Sequence, residues 1–309
     1  MGRKRRGGVP VHGWFLVDKP LGITSAAAVA IVRRSLNAMK AGHGGTLDPL
    51  ATGVLPIALG EATKTVSYVM DGRKAYRFTI RWGEQRSTDD AEGEVLHLSD
   101  VRPSEQAIRA VLPQFTGDIE QVPPTFSAIK LGGQRAYALA RADAPVDLPA
   151  RRVTIERFEV VACPDADHAV FEVQSGKGAY MRSLARDLAV ALGTVGYVSA
   201  LRRISVGSFT ESMAIPLDNV NGLRHSGALF EHVLPVGSAL ADIPALTLTE
   251  AEARRLRHGQ PIAVLPVASR STCEGLYPEA VCCAMSGGQP VALAQIRGGE
   301  IRPIRVLNL

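Results

Sequence analysis

Hydrophobic positions along the chain change their period several times, and each change marks an element. Residues 13–17 form a compact apolar run that reads as a strand. Thr24 or Ser25 then caps a helix over residues 26–36, made mostly of good helix formers. Residues 75–82 alternate, with Tyr76, Phe78, Ile80 and Trp82 on one face and Arg77, Thr79 and Arg81 on the other, as expected of a strand with one buried face. Ser104 is an N-cap for a helix through residue 115 that aligns Ile108, Val111, Leu112 and Phe115. Residues 153–163 and 168–175 read as paired strands, and 180–192 as a helix ended by Gly193 with Leu184, Leu188 and Leu192 on one face. Further on, 245–258 suggests a helix and 280–309 several short strands, including 291–296 and 301–306 on either side of Arg297-Gly298-Gly299-Glu300.

Between these periodic stretches lie segments of another kind. Residues 117–149 are rich in Pro, Gly and polar groups, with Lys130 and Arg135 near the middle, and read as an excursion over a cleft. The pattern loosens after Leu217, and a junction is expected near residues 235–244. The chain therefore divides into a basic tail over 1–10, an α/β (α+β) domain over 11–240 and a small β-rich domain over 241–309.

Composition narrows the class without choosing a function. With 46% hydrophobic and 21% charged residues, and no apolar run of membrane-spanning length, the 309-residue chain reads as a globular protein with no membrane partner. Its net charge of +5 suits a polyanionic partner. Met1-Gly2-Arg3-Lys4-Arg5-Arg6-Gly7-Gly8 has the charge of a signal-peptide start but no apolar stretch after it, so a solvated tail and a cytoplasmic location are expected. Cys163, Cys273, Cys282 and Cys283 lack Cys-x-x-Cys spacing and a nearby His, and read as reduced thiols without metal.

The run Gly42-His43-Gly44-Gly45-Thr46-Leu47-Asp48-Pro49-Leu50-Ala51-Thr52-Gly53-Val54-Leu55-Pro56 is poor material for a helix or a central strand. Proline after Asp48 pushes that aspartate out of the α region, so a tightly specified loop holding one carboxylate is expected. A short apolar segment, 54–59, places the loop at the lip of the core. The same residues would also make a buried turn in which Asp48 caps backbone N–H groups.

This run resembles the signature of the TruB family of tRNA pseudouridine synthases, in which the aspartate is the nucleophile. The resemblance extends through Val17-Asp18-Lys19-Pro20-Leu21-Gly22-Ile23-Thr24-Ser25 and Gly60-Glu61-Ala62-Thr63-Lys64. It continues through Lys74-Ala75-Tyr76, Gln121 to Lys130, Lys177 to Arg182 and Leu201-Arg202-Arg203, covering roughly residues 13 to 210. One departure is Arg86-Ser87-Thr88, where the family often has Thr-Asp-Thr before the residue matching Asp90. The resemblance implies a pseudouridine-synthase fold with a mixed, largely antiparallel central sheet, an RNA-clamping insertion at 117–149 and a PUA-like C-terminal RNA-binding domain. It further implies isomerisation of uridine 55 in the tRNA T-loop, with no cofactor, no metal and no obligate protein partner.

The chemistry asks for few groups. One ionised carboxylate can attack the sugar C1′ or the uracil C6, or remove the C2′ proton, and nothing in the residues chooses among these routes. A charged Asp48 in a dry site needs a cation, and Arg182 is the candidate, since the family pairs the arginine of this block with the aspartate. Arg182 would otherwise be a surface residue opposing the dipole of its helix. A flipped uridine needs surfaces that replace its lost stacking; Tyr76, Tyr180 and Leu201 are assigned to that, and His43 to a wedge or a nucleotide contact. Each would otherwise be an ordinary core or loop residue. Lys19, Lys64 and Lys130 are assigned to RNA phosphate contacts or to loop packing. Two rivals stand: a non-catalytic RNA-binding or tRNA-folding protein, and a hydrolase that releases uracil with a second carboxylate from Asp89, Asp90 or Glu92.

Overall fold

The computed structural model describes residues 7–127, 129–142, 147–223, 227–271, 277 and 279–309, with backbone alone at 130, 135, 138, 140 and 141. Cys273, the first six residues of the basic tail and the side chain of Lys130 lie outside the described part.

Ten strands form the main sheet, in the order Ile215–Pro216, Gly13–Lys19, Ala51–Leu59, Gly196–Val206, Lys74–Trp82, His168–Ser175, Arg151–Asp165 and Gly117–Gln121. Ala41–His43 and Phe209–Thr210 pair off this path with Ala51–Leu59 and Gly196–Val206. Among the described residues only two of its strand pairings are parallel, Gly13–Lys19 with Ile215–Pro216 and Ala51–Leu59 with Gly196–Val206, so the sheet is mixed and largely antiparallel.

The pattern of burial explains why some strands alternate and others do not. Phe15, Val17, Leu55 and Ile57 pack beneath the helix Ser25–Ser35, while Trp14, Leu16, Val54 and Ala58 pack with Val206 and Phe209 in a separate cluster. With both faces covered, these strands read as unbroken apolar runs. Lys74–Trp82 has one covered face, where Phe78, Ile80 and Trp82 meet Phe171 of the strand His168–Ser175 and Leu184 and Leu188 of the helix Met181–Ala191. Burying such aromatic and aliphatic side chains contributes about 1.5–3 kcal/mol each before the entropy of ordering is charged against it.

Several expectations are corrected. The signature run is a loop only over residues 44–50, since Ala51–Leu59 is a central strand despite Pro56. Proline is tolerated there because its strand pairs with Gly196–Val206 only through Gly53, and with Ala41–His43 only from Ile57 onward. Gly53 (φ +99°) permits the close approach of this strand to its neighbour, because a Cβ there would meet the Arg203 carbonyl oxygen at 2.2 Å. Gly117–Gln121 is an edge strand paired with Arg151–Ile155, so the excursion expected from residue 117 leaves the sheet only after Gln121. The helix capped by Ser104 tightens to a 3-10 turn at Leu112–Phe115, where Pro113 cannot donate a backbone hydrogen bond.

A second sheet of five strands, Ala245–Thr247, Val281–Ser286, Gln289–Arg297, Glu300–Val306 and Ile262–Ala263, has its own core around Leu246, Leu256, Ala292 and Ile301. The helix expected from 245 starts at Glu250, because Thr249 and Glu252 form a capping box and Ala245–Thr247 pairs with the strand Val281–Ser286 instead. Gly298 and Gly299, at φ 56° and 78°, make the two-residue turn of the last hairpin. Cys163, Cys282 and Cys283 are thiols rather than half-cystines, and burial pushes the Cys283 thiol up to about 11. No helix among the described residues is long and apolar enough to cross a membrane.

Candidate active site

Asp48 sits on a loop that is fastened at every point. Buried Ser25 accepts a hydrogen bond from the Leu47 amide at 2.8 Å and donates one to the Leu47 carbonyl at 2.9 Å. The Pro49 carbonyl accepts from the Gly22 amide at 2.8 Å and from Lys19 Nζ at 3.4 Å, and the Asp48 carbonyl accepts from the Ala51 amide at 3.0 Å. Arg203, only 1% exposed, donates to the carbonyls of Gly45 (3.1 Å), Thr46 (3.3 Å) and Val54 (2.9 Å), so a single guanidinium ties the two flanks of the loop together. The Lys19-to-Ser25 motif and Arg203 thus have a common mechanical role: they preset the position of the Asp48 side chain.

Arg182 meets that side chain from the first turn of Met181–Ala191. Its guanidinium contacts Asp48 Oδ2 at 2.9 Å and Asp90 Oδ2 at 3.2 Å, and donates to the carbonyls of Thr88 (3.1 Å) and Phe126 (2.9 Å). The arginine side chain is 7% exposed and that of Asp90 10%, whereas Asp48 is 48% exposed. Asp90 Oδ1 also accepts from the Thr88 hydroxyl and the Glu92 amide. It is a satisfied structural acceptor, and Asp48 is the carboxylate with an open side. Asp89 is spent on Arg186 at 3.0 Å.

A small cavity lined by Asp48, Leu50, Asp90, Arg182, Val198 and Leu201 lies over this pair. Leu201 faces it because its strand runs parallel to Ala51–Leu59, with Leu201 opposite Ala51. Tyr180 caps the helix that carries Arg182; the Gln121 amide clamps its backbone N–H and C=O at 2.7 and 3.1 Å, and burial pushes its phenol up. Tyr76 is not among the residues lining the cavity; it packs against both flanking cores, and its interaction with Arg203 offsets part of the burial that lowers the Arg203 pKa. His43 is half-buried with Nδ1 unpartnered, and burial first, then Arg203, hold its pKa below the usual histidine value.

The lysines behave differently from a phosphate-binding set. Lys19 is fully buried, and its Nζ donates to the carbonyls of Pro20, Ile23 and Pro49. Lys64 pairs with Glu61 at 2.6 Å and donates to the Val306 carbonyl at 2.8 Å. Lys19 thus fits loop packing and Lys64 a contact with the strand Glu300–Val306, because their ammonium donors are taken by backbone and carboxylate oxygens. Ser25, Gln121 and Arg203 were not singled out as site residues. All three stand within the family-like motifs, but their partners lie 22, 59 and about 150 residues away in sequence.

Lys19 makes a pH prediction. Burial lowers its pKa from 10.5 to about 8, against the opposing pull of Asp48. Between about pH 8 and 10.5 the unfolded chain holds a proton that the folded chain has lost, so stability from this site rises with pH across that window. The unfolding free energy of the parent relative to Lys19→Met should therefore improve by roughly 1–3 kcal/mol between pH 7 and pH 10 in urea titrations. A pH-independent difference would contradict this.

Residues 33–181 match the family model described as TruB family pseudouridylate synthase (N terminal domain), and residues 182–241 match the tRNA pseudouridylate synthase B C-terminal domain. The chain belongs to the TruB family. A Rhodospirillum rubrum relative named tRNA pseudouridine synthase B is 57% identical over 309 residues, covering 100% of each chain. One of the same name from Caulobacter vibrioides is 50% identical over 307 residues, covering 99% of each. A chain in a solved Cbf5-Nop10-Gar1 complex is 26% identical with a TM-score of 0.76, covering 96% of this chain and 85% of that one. A chain in an H/ACA RNP bound to a substrate RNA containing 2'-deoxyuridine shares the fold, with 23% identity, a TM-score of 0.74 and coverage of 100% and 92%. The two TruB regions meet inside the helix Met181–Ala191, between Met181 and Arg182, and both contribute strands to the ten-stranded sheet. That sheet is the pseudouridine-synthase fold.

Proposed function

We propose that this chain is a tRNA pseudouridine synthase that isomerises uridine 55 of the T-loop, with Asp48 as the reacting carboxylate. The observation that carries the reading is the Asp48–Arg182 pair, in which the buried cation holds a carboxylate whose other side opens to a cavity. The names of the curated relatives support the tRNA substrate. In the reaction the N1–C1′ bond breaks, the uracil turns while bound, C5 bonds to C1′, and the C5 proton is lost as N1 gains one. Attack at C1′, attack at C6 and removal of the C2′ proton all use the same ionised oxygen.

Arg182 keeps Asp48 charged when RNA covers its exposed side and removes water. Leu201 gives the cavity an apolar wall, and Tyr76 and Tyr180 are assigned to the flipped base, which must replace the stacking it lost. His43 is assigned to the RNA contact beside the loop. Asp90 is bound on both oxygens, which favours a structural acceptor over the second carboxylate of a hydrolase.

The test is an unmodified tRNA transcript beside one carrying cytidine at position 55, mapped by carbodiimide-dependent primer-extension stops with free uracil assayed in parallel. A stop at 55 in the first transcript alone, with no uracil, is the expected result. Uracil release would establish the hydrolase, and tight binding without a stop would establish a non-catalytic RNA-binding protein.

A further inference from the structure

The Gly60-to-Lys64 block matches the family signature, yet it stands at the far end of the strand Ala51–Leu59 from Asp48, about 26 Å away at the rise of an extended chain. It faces the segment that follows the last strand of the five-stranded sheet. Glu61 Oε2 accepts from the Asn308 amide at 2.8 Å, and Lys64 Nζ, paired with Glu61, donates to the Val306 carbonyl at 2.8 Å. Between these two contacts Leu307, 1% exposed, enters the cluster formed by Trp14, Val54 and Val206 of the other sheet and Val69 of the helix Val66–Asp71. Its amide meanwhile donates to the Val291 carbonyl of the five-stranded sheet at 2.8 Å.

We propose that Glu61 and Lys64 form a latch that seats residues 306–308 and fixes the five-stranded sheet against the catalytic sheet, and that this fixed geometry serves the binding of whole tRNA rather than the chemistry. The polar arms are directional: one accepts a backbone N–H and the other donates to a backbone C=O, so together they read two points on one short strand end while Leu307 fills the space between. Three contacts on three successive residues define a docking register, which an apolar patch alone does not. Burial would raise the Glu61 pKa, but the Asn308 amide, Lys64 and His12 together hold it below the usual value, so the latch stays charged at neutral pH. The sheet it holds carries Arg254 and Arg255 on the exposed side of Glu250–Arg257, where neither is paired with a carboxylate among the described residues. Cations held at a fixed distance from Asp48 suit a polyanion long enough to span both units.

This inference rests on the tRNA reading, and the experiment separates the two. Glu61→Ala, Glu61→Gln and Leu307→Ala are compared with the parent on full-length tRNA and on an isolated T-arm hairpin, with amide exchange followed at Leu307 and Asn308. Glu61→Ala is expected to raise KM for full-length tRNA about tenfold with kcat unchanged, to leave hairpin kinetics unchanged, and to speed exchange at both amides at least tenfold. Glu61→Gln keeps an acceptor for Asn308 and should recover most of the KM, while Leu307→Ala should reproduce the Glu61→Ala pattern. Unchanged exchange in Glu61→Ala would overturn the latch, and equal kinetic losses on both substrates would overturn its role in tRNA binding. A parent inactive on both RNAs would overturn the synthase reading while the exchange result still decides the latch.

Discussion

Asp48→Asn should lower pseudouridine formation by at least about 10³–10⁴-fold while leaving the fold and tRNA binding in place. Asparagine is nearly isosteric and retains a carbonyl oxygen that Arg182 can reach, so the loop keeps its fastenings to Ser25, Gly22 and Arg203, none of which involves the Asp48 side chain. The carboxylate is half exposed, and its loss removes one of two anions from Arg182 while Asp90 remains, so the stability change should stay within about 1 kcal/mol. The amide lacks the charge that every route to the new C–C bond uses. Carbodiimide mapping at matched enzyme and RNA concentrations, with a gel-shift titration and a thermal melt on the same preparations, measures all three quantities. A residual rate within tenfold of the parent would move the chemistry to another residue.

How much of this was legible follows from where each contact lies. Lys74–Trp82 was readable because one face is covered, leaving Arg77 and Arg81 to mark the other in strict alternation. Gly13–Lys19 was readable as an apolar run, but the neighbouring Ala51–Leu59 was mostly hidden by its Gly and Pro, whose tolerance depends on which partner strands pass beside Gly53 and Pro56. The eleven-residue strand Gly196–Val206 escaped altogether. Register shifts between Val198 and Ala200 and between Arg203 and Ser205 reset its alternation twice, and its buried face includes an arginine. The candidate carboxylate was marked by its loop, but its pairing with an arginine 134 residues away came from family resemblance, since no local pattern encodes such a contact. Lys19 was assigned to phosphate or to packing, and only its three carbonyl partners decide between them.

Arg182→Met should cost both activity and stability, and the two losses can be separated. The guanidinium serves two carboxylates and two carbonyls from three separate segments, so methionine fills part of its volume but satisfies none of them. Asp48 can turn to solvent. Asp90, 10% exposed, cannot, and an unpaired carboxylate at that depth costs about 3–5 kcal/mol, which a urea titration would read as a lowered midpoint. Activity should fall by about 10²–10³-fold, because Asp48 loses the charge that keeps it ionised and aimed once RNA excludes water. Adding Asp90→Asn removes the stranded charge, so the double variant should regain roughly 1–3 kcal/mol relative to Arg182→Met while its activity stays lost. Arg182→Lys restores a cation without the planar fork, and should recover part of the stability but little of the rate, since one ammonium cannot span Asp48, Asp90 and both carbonyls. If Asp90→Asn restored activity along with stability, the arginine would be acting through the fold alone and its pairing with Asp48 would carry no chemical role. If the double variant stayed as unstable as Arg182→Met, the cost would lie instead with the unpaired carbonyls of Thr88 and Phe126, and with the root of the 122–149 excursion that Phe126 helps to anchor.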